Sequence, residues 1–202
     1  MKTLRIKCDA DGINIAERTI KKGGIVIFPT DTVYGIGCDP YNKEAVDKIY
    51  RIKNRDYEKL FPILGFSKSV LSKIVIFDER SNKIAEKFWP GQITLVLPLR
   101  DEKLKNSMNL ENKVAVRVPN NRCALALLER CNFVIGTSAN ISGSGSFTDP
   151  EECAKNISDN EVFLDVGKII GNRESTIVEI NEKKIQIHRE GSISKEEILN
   201  LF

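Results

Sequence analysis

The sequence predicts a single mixed α/β domain extending over residues 1–202. Segments with helical spacing of apolar residues alternate with short extended segments along the whole chain. Apolar residues make up 41% of the composition and charged residues 29%, a balance typical of folded globular proteins. No internal repeat or low-complexity tract interrupts the alternation. One α/β domain therefore accounts for the entire chain.

The first half of the chain alternates helices and strands. Apolar residues at helical spacing predict helices over residues 13–22, 43–52 and 80–88. Unbroken apolar runs predict buried strands over residues 25–28, 61–66 and 93–97. Gly23-Gly24 can close the first helix in a left-handed conformation, and Pro29 ends the first strand.

The second half continues this alternation. Strands are predicted over residues 113–118, 133–136, 175–180 and 184–189, the last two joined by a hairpin turn at residues 181–183. Helices are predicted over residues 121–129, after the capping residues 148–151, and as a short C-terminal helix over 194–202. The loops at 100–112 and 143–147 are expected to be the least regular segments.

Charge and hydropathy exclude several classes of protein. The 31 Lys and Arg against 28 Asp and Glu give a net charge of +3, too small for a protein that coats a nucleic-acid duplex. The sequence contains no apolar run of about 18 residues, so we expect no membrane span and no membrane partner. It begins without the apolar region of a signal peptide, which predicts a cytoplasmic protein.

Histidine and cysteine usage restricts the chemistry further. The single histidine, His188, excludes multi-histidine metal sites, and we expect it at a surface or cavity edge rather than in catalysis. The five cysteines contain no C-x-x-C pair, so neither zinc ligation nor a disulfide framework is expected. Cys38 is interpreted as a small apolar residue rather than a reactive thiol, and Trp89 as core packing. Cations, hydroxyls and backbone amides are left to carry any chemistry.

Four polar segments follow predicted strands or helices, where open α/β sheets place their ligands. The first covers residues 28–37, whose hydroxyls suit a small polar ligand or simply cap a turn. The second holds Lys53, Arg55 and Lys59, which suit phosphate oxygens or form a solvated charged loop. The third, residues 136–146, exposes backbone amides as an anion nest or is a flexible surface loop.

The fourth segment combines Ser175 and Arg189 in the tail with Arg117 on a strand otherwise rich in valine. An arginine among buried strands must be paired or face a cavity, because an unpaired buried charge costs several kcal/mol. Ligand binding and a structural salt bridge are therefore both open for the two arginines.

Seven motifs occur in a fixed order: Pro29-Thr30-Asp31-Thr32-Val33-Tyr34-Gly35, Lys53-x-Arg55, Pro90-Gly91-x-x-Thr94-Leu95, Val116-Arg117-Val118-Pro119, Ser138-Ala139-Asn140-x-Ser142-Gly143, Ser175-Thr176-Ile177 and Arg189-x-Gly191. Together they resemble the YrdC/Sua5 family, and the resemblance covers residues 24–191. It implies a twisted open mixed sheet with flanking helices around a basic concave cavity. The motif-bearing core is then residues 13–191, in the short single-domain type of the family.

The resemblance also implies an activity. Family members are threonylcarbamoyl-AMP synthases, nucleotidyltransferases that convert L-threonine, bicarbonate and ATP into threonylcarbamoyl-adenylate and pyrophosphate. A partner complex then transfers the threonylcarbamoyl group to tRNA. Mg²⁺ would accompany the triphosphate, and neither a protein-bound metal nor a covalent nucleophile is expected.

The resemblance assigns ligands residue by residue. The L-threonine contacts it implies are Thr32, Arg117, Gly136 through its backbone, and Ser175. The ATP contacts it implies are Lys53, Arg55, Lys59, Ser138, Asn140, Ser146 and Arg189. The sequence departs from the family pattern at Lys59-Leu60-Phe61-Pro62, where the proline lies two positions later, and at Lys113, often a small hydroxyl residue.

Two other functions remain open at this point. An RNA-binding or ribosome-maturation module could use the same basic cavity as its surface, and weak RNA binding would then accompany it. A carbamoyl-adenylate domain, as found in hydrogenase-maturation proteins, is the other enzyme to consider. The lack of basic clusters interleaved with aromatic residues disfavours the RNA-binding module.

Overall fold

A computed structural model describes residues 3–171, 173–180 and 185–202. Its strands are β1 (Leu4–Lys7), β2 (Val26–Pro29), β3 (Tyr34–Gly37), β4 (Ile63–Gly65), β5 (Ile93–Pro98), β6 (Lys113–Arg117), β7 (Phe133–Ile135), β8 (Thr137–Ser138), β9 (Val162–Asp165), β10 (Thr176–Ile180) and β11 (Ile185–Arg189). Its helices are α1 (Ala10–Lys21), α2 (Lys43–Lys53), α3 (Lys68–Leu71), α4 (Glu79–Phe88), α5 (Glu102–Met108), α6 (Arg122–Cys131), α7 (Pro150–Asn156) and α8 (Lys195–Leu199).

The strands divide between two mixed sheets. One sheet has the order β1-β9-β2-β3-β8, and the other has the order β11-β10-β5-β6-β4-β7. The predicted α/β class is confirmed, although a single sheet was expected. The chain changes sheet at Gly136, which separates β7 from β8. A Cβ on Gly136 would lie 2.2 Å from Leu64 Cδ1, so any larger residue here would force the Leu64 side chain to move.

The strand register gathers the predicted motifs at one place. In the first sheet, β3 pairs antiparallel with β8, which sets Gly35 opposite Ser138. In the second sheet, β4 pairs parallel with β6, which sets Leu64 opposite Arg117. Strand β10 runs parallel to β5 and brings Thr176 beside Ile93. Motifs distant in sequence therefore meet where the two sheets adjoin.

Helices α1 and α6 cover one side of the first sheet. Ile13, Ala16 and Ile20 of α1 share an apolar cluster with Ala124 and Leu127 of α6. The spacing of these residues places them on one face of each helix, which is why the helices pack together. A second, larger cluster includes residues of α2, α4 and the long central strands.

The structure corrects the expectation that the cysteines form no disulfide framework. Cys8, just before α1, and Cys123, in the first turn of α6, form one disulfide with a Cα–Cα distance of 6.0 Å. The two residues are 115 positions apart in sequence, so no spacing motif reveals the pair. Cys38, Cys131 and Cys153 are free, and Cys38 is buried as predicted.

Several predicted elements have different bounds in the structure. Helix α5 occupies part of the segment 100–112, for which an irregular loop was wrongly predicted. Strands β1, β3, β8 and β9 and the short helix α3 were not predicted. The antiparallel pairing of β10 with β11 confirms the predicted hairpin, while its turn at residues 181–183 lies outside the described residues. Among the described helices, none has the length and apolar character needed to cross a membrane.

Candidate functional site

A cavity of about 280 Å³ lies where the two sheets adjoin. Nine of the predicted ligand residues line it: Thr32, Lys53, Arg55, Arg117, Gly136, Ser138, Asn140, Ser175 and Arg189. Lys59 and Ser146 do not belong to this lining. Lys59 is exposed, and its carbonyl oxygen accepts a hydrogen bond of 2.6 Å from Arg55 Nε. The roles of all these residues as ligands stay predictions.

The loop after β2 forms a turn held by its own hydroxyl groups. Thr30 Oγ1 donates to the Val33 carbonyl at 2.7 Å and accepts the Thr32 backbone N–H at 3.1 Å. It also lies 2.9 Å from Thr32 Oγ1. The turn-capping interpretation of this segment is therefore correct, and the same turn places Thr30 and Thr32 on the cavity wall.

Arg117 is held in place at three nitrogen atoms. Its Nε donates to the Gly91 carbonyl at 2.8 Å, Nη1 to Thr32 Oγ1 at 3.3 Å and Nη2 to Asp31 Oδ1 at 2.6 Å. Burial lowers the pKa of Arg117, and the Asp31 carboxylate opposes that change. A guanidinium has five N–H groups, so two remain for a ligand in the cavity. Arg117 therefore forms a structural salt bridge with Asp31 and still has N–H groups with which it could bind a ligand.

Lys53 is buried at the end of α2, with its side chain turned toward the segment Ser138 to Asn140. Nζ donates to the Ser138 carbonyl, to the Asn140 carbonyl at 2.8 Å and to Asn140 Oδ1 at 3.1 Å. These three acceptors match the three N–H groups of an ammonium. Burial, followed by the charge of Arg55, lowers the pKa of Lys53 to about 8.

The loop after β8 is fastened by side-chain bonds. Ser138 Oγ donates to Asn140 Oδ1 at 2.6 Å, and Asn140 Nδ2 donates to the Ser144 carbonyl at 2.6 Å. The Ser142 N–H donates to the Lys53 carbonyl at 2.8 Å. Ser142 Oγ is buried without a hydrogen-bond partner. The first part of this segment is therefore ordered, in contrast to the flexible loop considered from its composition.

Arg55 and Arg189 supply the other two positive charges on the cavity wall. Arg55 lies over the Phe61 ring at 5.3 Å, and burial lowers its pKa. Arg189 Nη1 forms an ion pair with Glu174, while its Nη2 donates to the Ser175 carbonyl at 2.9 Å. Ser175 Oγ in turn lies 2.8 Å from Thr94 Oγ1. Each cation of the cavity is thus fixed by protein acceptors or by an aromatic ring.

Sequence reasoning missed several polar residues at the site. Thr30, Thr94 and Glu174 line the cavity, and Asp31 supports Arg117 from outside that lining. Thr30, Asp31 and Thr94 lie within motifs already quoted, and Glu174 directly precedes Ser175. Adjacency to a motif was the available signal, but it does not tell which side chains turn toward the cavity.

The remaining predictions concern His188, Trp89 and metal ligands. His188 is exposed on β11 and lies 2.6 Å from Glu179, consistent with the surface interpretation. Trp89 packs edge-on against Phe77 at 6.0 Å and borders the larger core cluster, as predicted. Within the described ranges, no three His, Cys, Asp or Glu side chains are grouped so that they could hold a metal ion.

Comparison with known proteins identifies the family. The Sua5/YciO/YrdC family model, described as telomere recombination, matches residues 18–191. The chain belongs to the Sua5/YciO/YrdC family. This membership confirms the resemblance found in the sequence motifs.

Family relatives differ in length. A Pyrococcus abyssi protein named threonylcarbamoyl-AMP synthase is 35% identical over 92% of this chain, which covers 56% of that relative. The crystal structure of P. abyssi Sua5 complexed with L-threonine matches with a TM-score of 0.88 at 32% identity. The match covers 98% of this chain and 59% of the Sua5 chain. Escherichia coli YciO has a TM-score of 0.87 at 25% identity, with 98% of both chains covered. The chain thus spans a little over half of the synthase relative and nearly all of YciO.

Proposed function

We propose that the chain is a threonylcarbamoyl-AMP synthase, which forms threonylcarbamoyl-adenylate and pyrophosphate from L-threonine, bicarbonate and ATP. The main observation behind this proposal is that nine predicted ligand residues, four of them cations, line one cavity where the sheets adjoin. All three substrates are anions or contain an anionic group, so such a wall suits each of them. The name of the P. abyssi relative, threonylcarbamoyl-AMP synthase, supports the same activity.

In the proposed site, L-threonine lies against Thr32, Arg117, Ser175 and the Gly136 backbone. Arg117 pairs with the carboxylate through its two uncommitted N–H groups, because a planar guanidinium binds carboxylates in a bidentate manner. The Thr32 and Ser175 hydroxyls provide shorter-range polar contacts. The Sua5 structure with L-threonine supports the presence of an amino-acid subsite in this fold.

ATP lies in the other part of the cavity, with phosphate contacts from Arg55, Ser138, Asn140 and Arg189. Lys53 contributes by holding the Ser138 to Asn140 segment, since its three N–H groups already meet protein acceptors. Lys59 and Ser146 lie outside the lining and would reach the nucleotide only through movement of their loops. Mg²⁺ enters with the triphosphate and neutralises part of its charge.

The proposed reaction needs positioning and charge stabilisation. The neutral threonine amine adds to bicarbonate and gives a carbamate with loss of water. A carbamate oxygen then attacks the α-phosphate of ATP, and pyrophosphate leaves with the electron pair of the broken P–O bond. Fixed cations and backbone amides stabilise the charge that develops at the phosphorus centre.

In this proposal residues 1–202 act as one catalytic domain in the cytoplasm. The adenylate passes to a tRNA-modifying complex that transfers the threonylcarbamoyl group to tRNA. The RNA-binding module of the sequence analysis gains no specific support from the cavity. The cations there are held inward by protein acceptors, whereas an RNA platform needs exposed basic and aromatic groups.

The test is pyrophosphate release from Mg²⁺-ATP by the purified protein, with threonine and bicarbonate omitted in turn. The proposal expects release only when both are present. Release that needs neither would identify a nucleotide hydrolase and contradict the proposal. The absence of release from folded protein in every mixture would also contradict it. Arg117→Ala, with its fold verified, tests the threonine requirement, because it should need more threonine for the same release.

A further inference from the structure

Glu174 is the one carboxylate among the described residues that line the cavity. Four cations share this wall with it, and every proposed substrate carries negative charge. A carboxylate in such a place repels the ligands that the cations attract. The proposed function alone does not explain why a carboxylate lies among these cations.

Both oxygens of Glu174 are occupied by donors from separate parts of the chain. Oε1 accepts a hydrogen bond of 2.6 Å from Ser146 Oγ, in the loop before α7. Oε2 forms an ion pair with Nη1 of Arg189, at the end of β11. Glu174 thus bridges the 143–147 loop and the edge strand across the cavity.

Arg189 does not depend on this ion pair for its position. Its Nε and Nη2 donate to the Ser175 carbonyl at 3.0 and 2.9 Å, and Nη2 also lies 3.2 Å from Ser175 Oγ. Only Nη1 is directed to the carboxylate. Loss of the Glu174 charge would leave Arg189 in place with Nη1 free.

An arginine N–H and a serine hydroxyl are donors that also bind phosphate oxygens. We propose that Glu174 is an internal counter-anion that competes with the nucleotide phosphates for Arg189 and Ser146, so that ATP binds by exchange with this carboxylate. The exchange frees the Ser146 hydroxyl, while the Ser144 and Phe147 carbonyls keep their hydrogen bonds to Asn140 Nδ2 and the Tyr34 N–H. This inference rests on the proposed function for the identity of the nucleotide, but the competition itself concerns any polyphosphate.

The ionisation of Glu174 agrees with this role. Burial raises its pKa, but the Ser146 hydrogen bond and the charge of Arg189, helped by Ser138 and Lys53, outweigh burial and lower it. The group is therefore an anion at neutral pH, as competition requires.

The test is Glu174→Gln, which keeps the shape of the side chain and removes its charge. We expect ATP, and inorganic triphosphate without metal, to bind at least about 5-fold more tightly than to the unaltered protein, measured by calorimetry. Glu174→Ala should change both affinities in the same direction. Melting curves of both variants verify the fold.

Glu179→Gln is the matched control, because Glu179 on the adjoining β10 also pairs with a cation, Lys113, and contacts His188, but outside the cavity lining. We expect its affinity for triphosphate to be unchanged. Equal or weaker triphosphate binding in the Glu174 variants would overturn the proposal. Loss of affinity for Mg²⁺-ATP alone would also overturn it and identify Glu174 as a metal ligand. Since no threonine, bicarbonate or turnover is involved, failure of the synthase reaction is measured separately.

Discussion

Asp31 Oδ1 accepts a hydrogen bond of 2.6 Å from Arg117 Nη2, and the two side chains are only 10% and 7% exposed. The second oxygen, Oδ2, is buried without a hydrogen-bond partner. Asp31 therefore neutralises Arg117 from outside the cavity lining, whereas Glu174 faces Arg189 within it. An arginine thus pairs with a carboxylate in both places. Asp31 holds Arg117 in position, whereas Glu174, in our proposal, competes with nucleotide phosphates for Arg189.

Arg117→Ala should impair both stability and threonine use. Removing one partner of a buried ion pair costs about 3 to 5 kcal/mol in the free energy of unfolding, because the other charge remains buried alone. Threonine use should weaken by about 2 to 5 kcal/mol, since its carboxylate loses a bidentate partner. Denaturant unfolding and the threonine KM measure the two effects.

The double variant Asp31→Ala/Arg117→Ala separates these effects. Stability should recover relative to Arg117→Ala, because no unpaired charge is left. Threonine use should stay impaired, because the guanidinium is still missing. Recovery of both properties together would show that Arg117 has no direct part in threonine binding.

Lys53 should give ATP binding a pH dependence near its pKa of about 8. Above this pH the neutral amine has two N–H groups for three acceptors, so the Ser138 to Asn140 segment loosens and the ATP Kd rises. Calorimetry between pH 7 and 9.5 measures the change. Lys53→Met should bind weakly throughout without the inflection, and a flat profile in the unaltered protein would contradict the expectation.

Lys53 should also make the free energy of unfolding depend on pH. Below about pH 8, Lys53 is charged in both the folded and the unfolded chain, so it adds no pH dependence. Between about pH 8 and 10.4 the unfolded chain binds more protons, and the Lys53 contribution makes the free energy of unfolding increase with pH. The difference between the unaltered protein and Lys53→Met should follow this direction.

Arg55→Lys should raise the ATP KM by about tenfold and leave the threonine KM unchanged. Lysine keeps the charge but loses the planar donors that now meet the Lys59 and Leu60 carbonyls and the stacking on Phe61. Steady-state kinetics with each substrate varied in turn measures the split. Arg51→Lys is the matched control, because Arg51 is exposed near the end of α2, four residues before Arg55, and lies outside the cavity lining. A rise in both KM values would contradict a role confined to the nucleotide.

The Cys8–Cys123 disulfide should be detectable by counting thiols. Denatured protein prepared without reductant should have three reactive thiols, from Cys38, Cys131 and Cys153, and reduction should raise the number to five. Reduction should also lower the free energy of unfolding by about 3 to 4 kcal/mol, because the bond closes a long loop in the unfolded chain. Disulfides are rare in reducing cytoplasm, so five thiols in protein from the cytoplasm would restrict the bond to oxidising conditions.

Local sequence signals predicted the parts of the fold that depend on local physics. The apolar spacing of α1, α2 and α6 follows the 3.6-residue period of a helix, and the unbroken apolar run at β2 marks a strand buried on both faces. Strand β9 contains a short apolar run, Val162-Phe163-Leu164, that was overlooked in the sequence, whereas β8 has only two residues and is too short to show a pattern. Helix α5 was missed because its charged, lysine-rich sequence buries only Leu104 and Met108.

By itself, the sequence determined the α/β class, the family and the set of polar motifs, since each is written in residue identity and local order. The tertiary structure decided which of these side chains meet. It divided the strands between two sheets, with one of the crossings at Gly136, paired Cys8 with Cys123, and set Asp31 and Glu174 against different arginines. These relationships join residues between 15 and 115 positions apart. Such contacts depend on how whole elements pack, and no local pattern of residues contains that information.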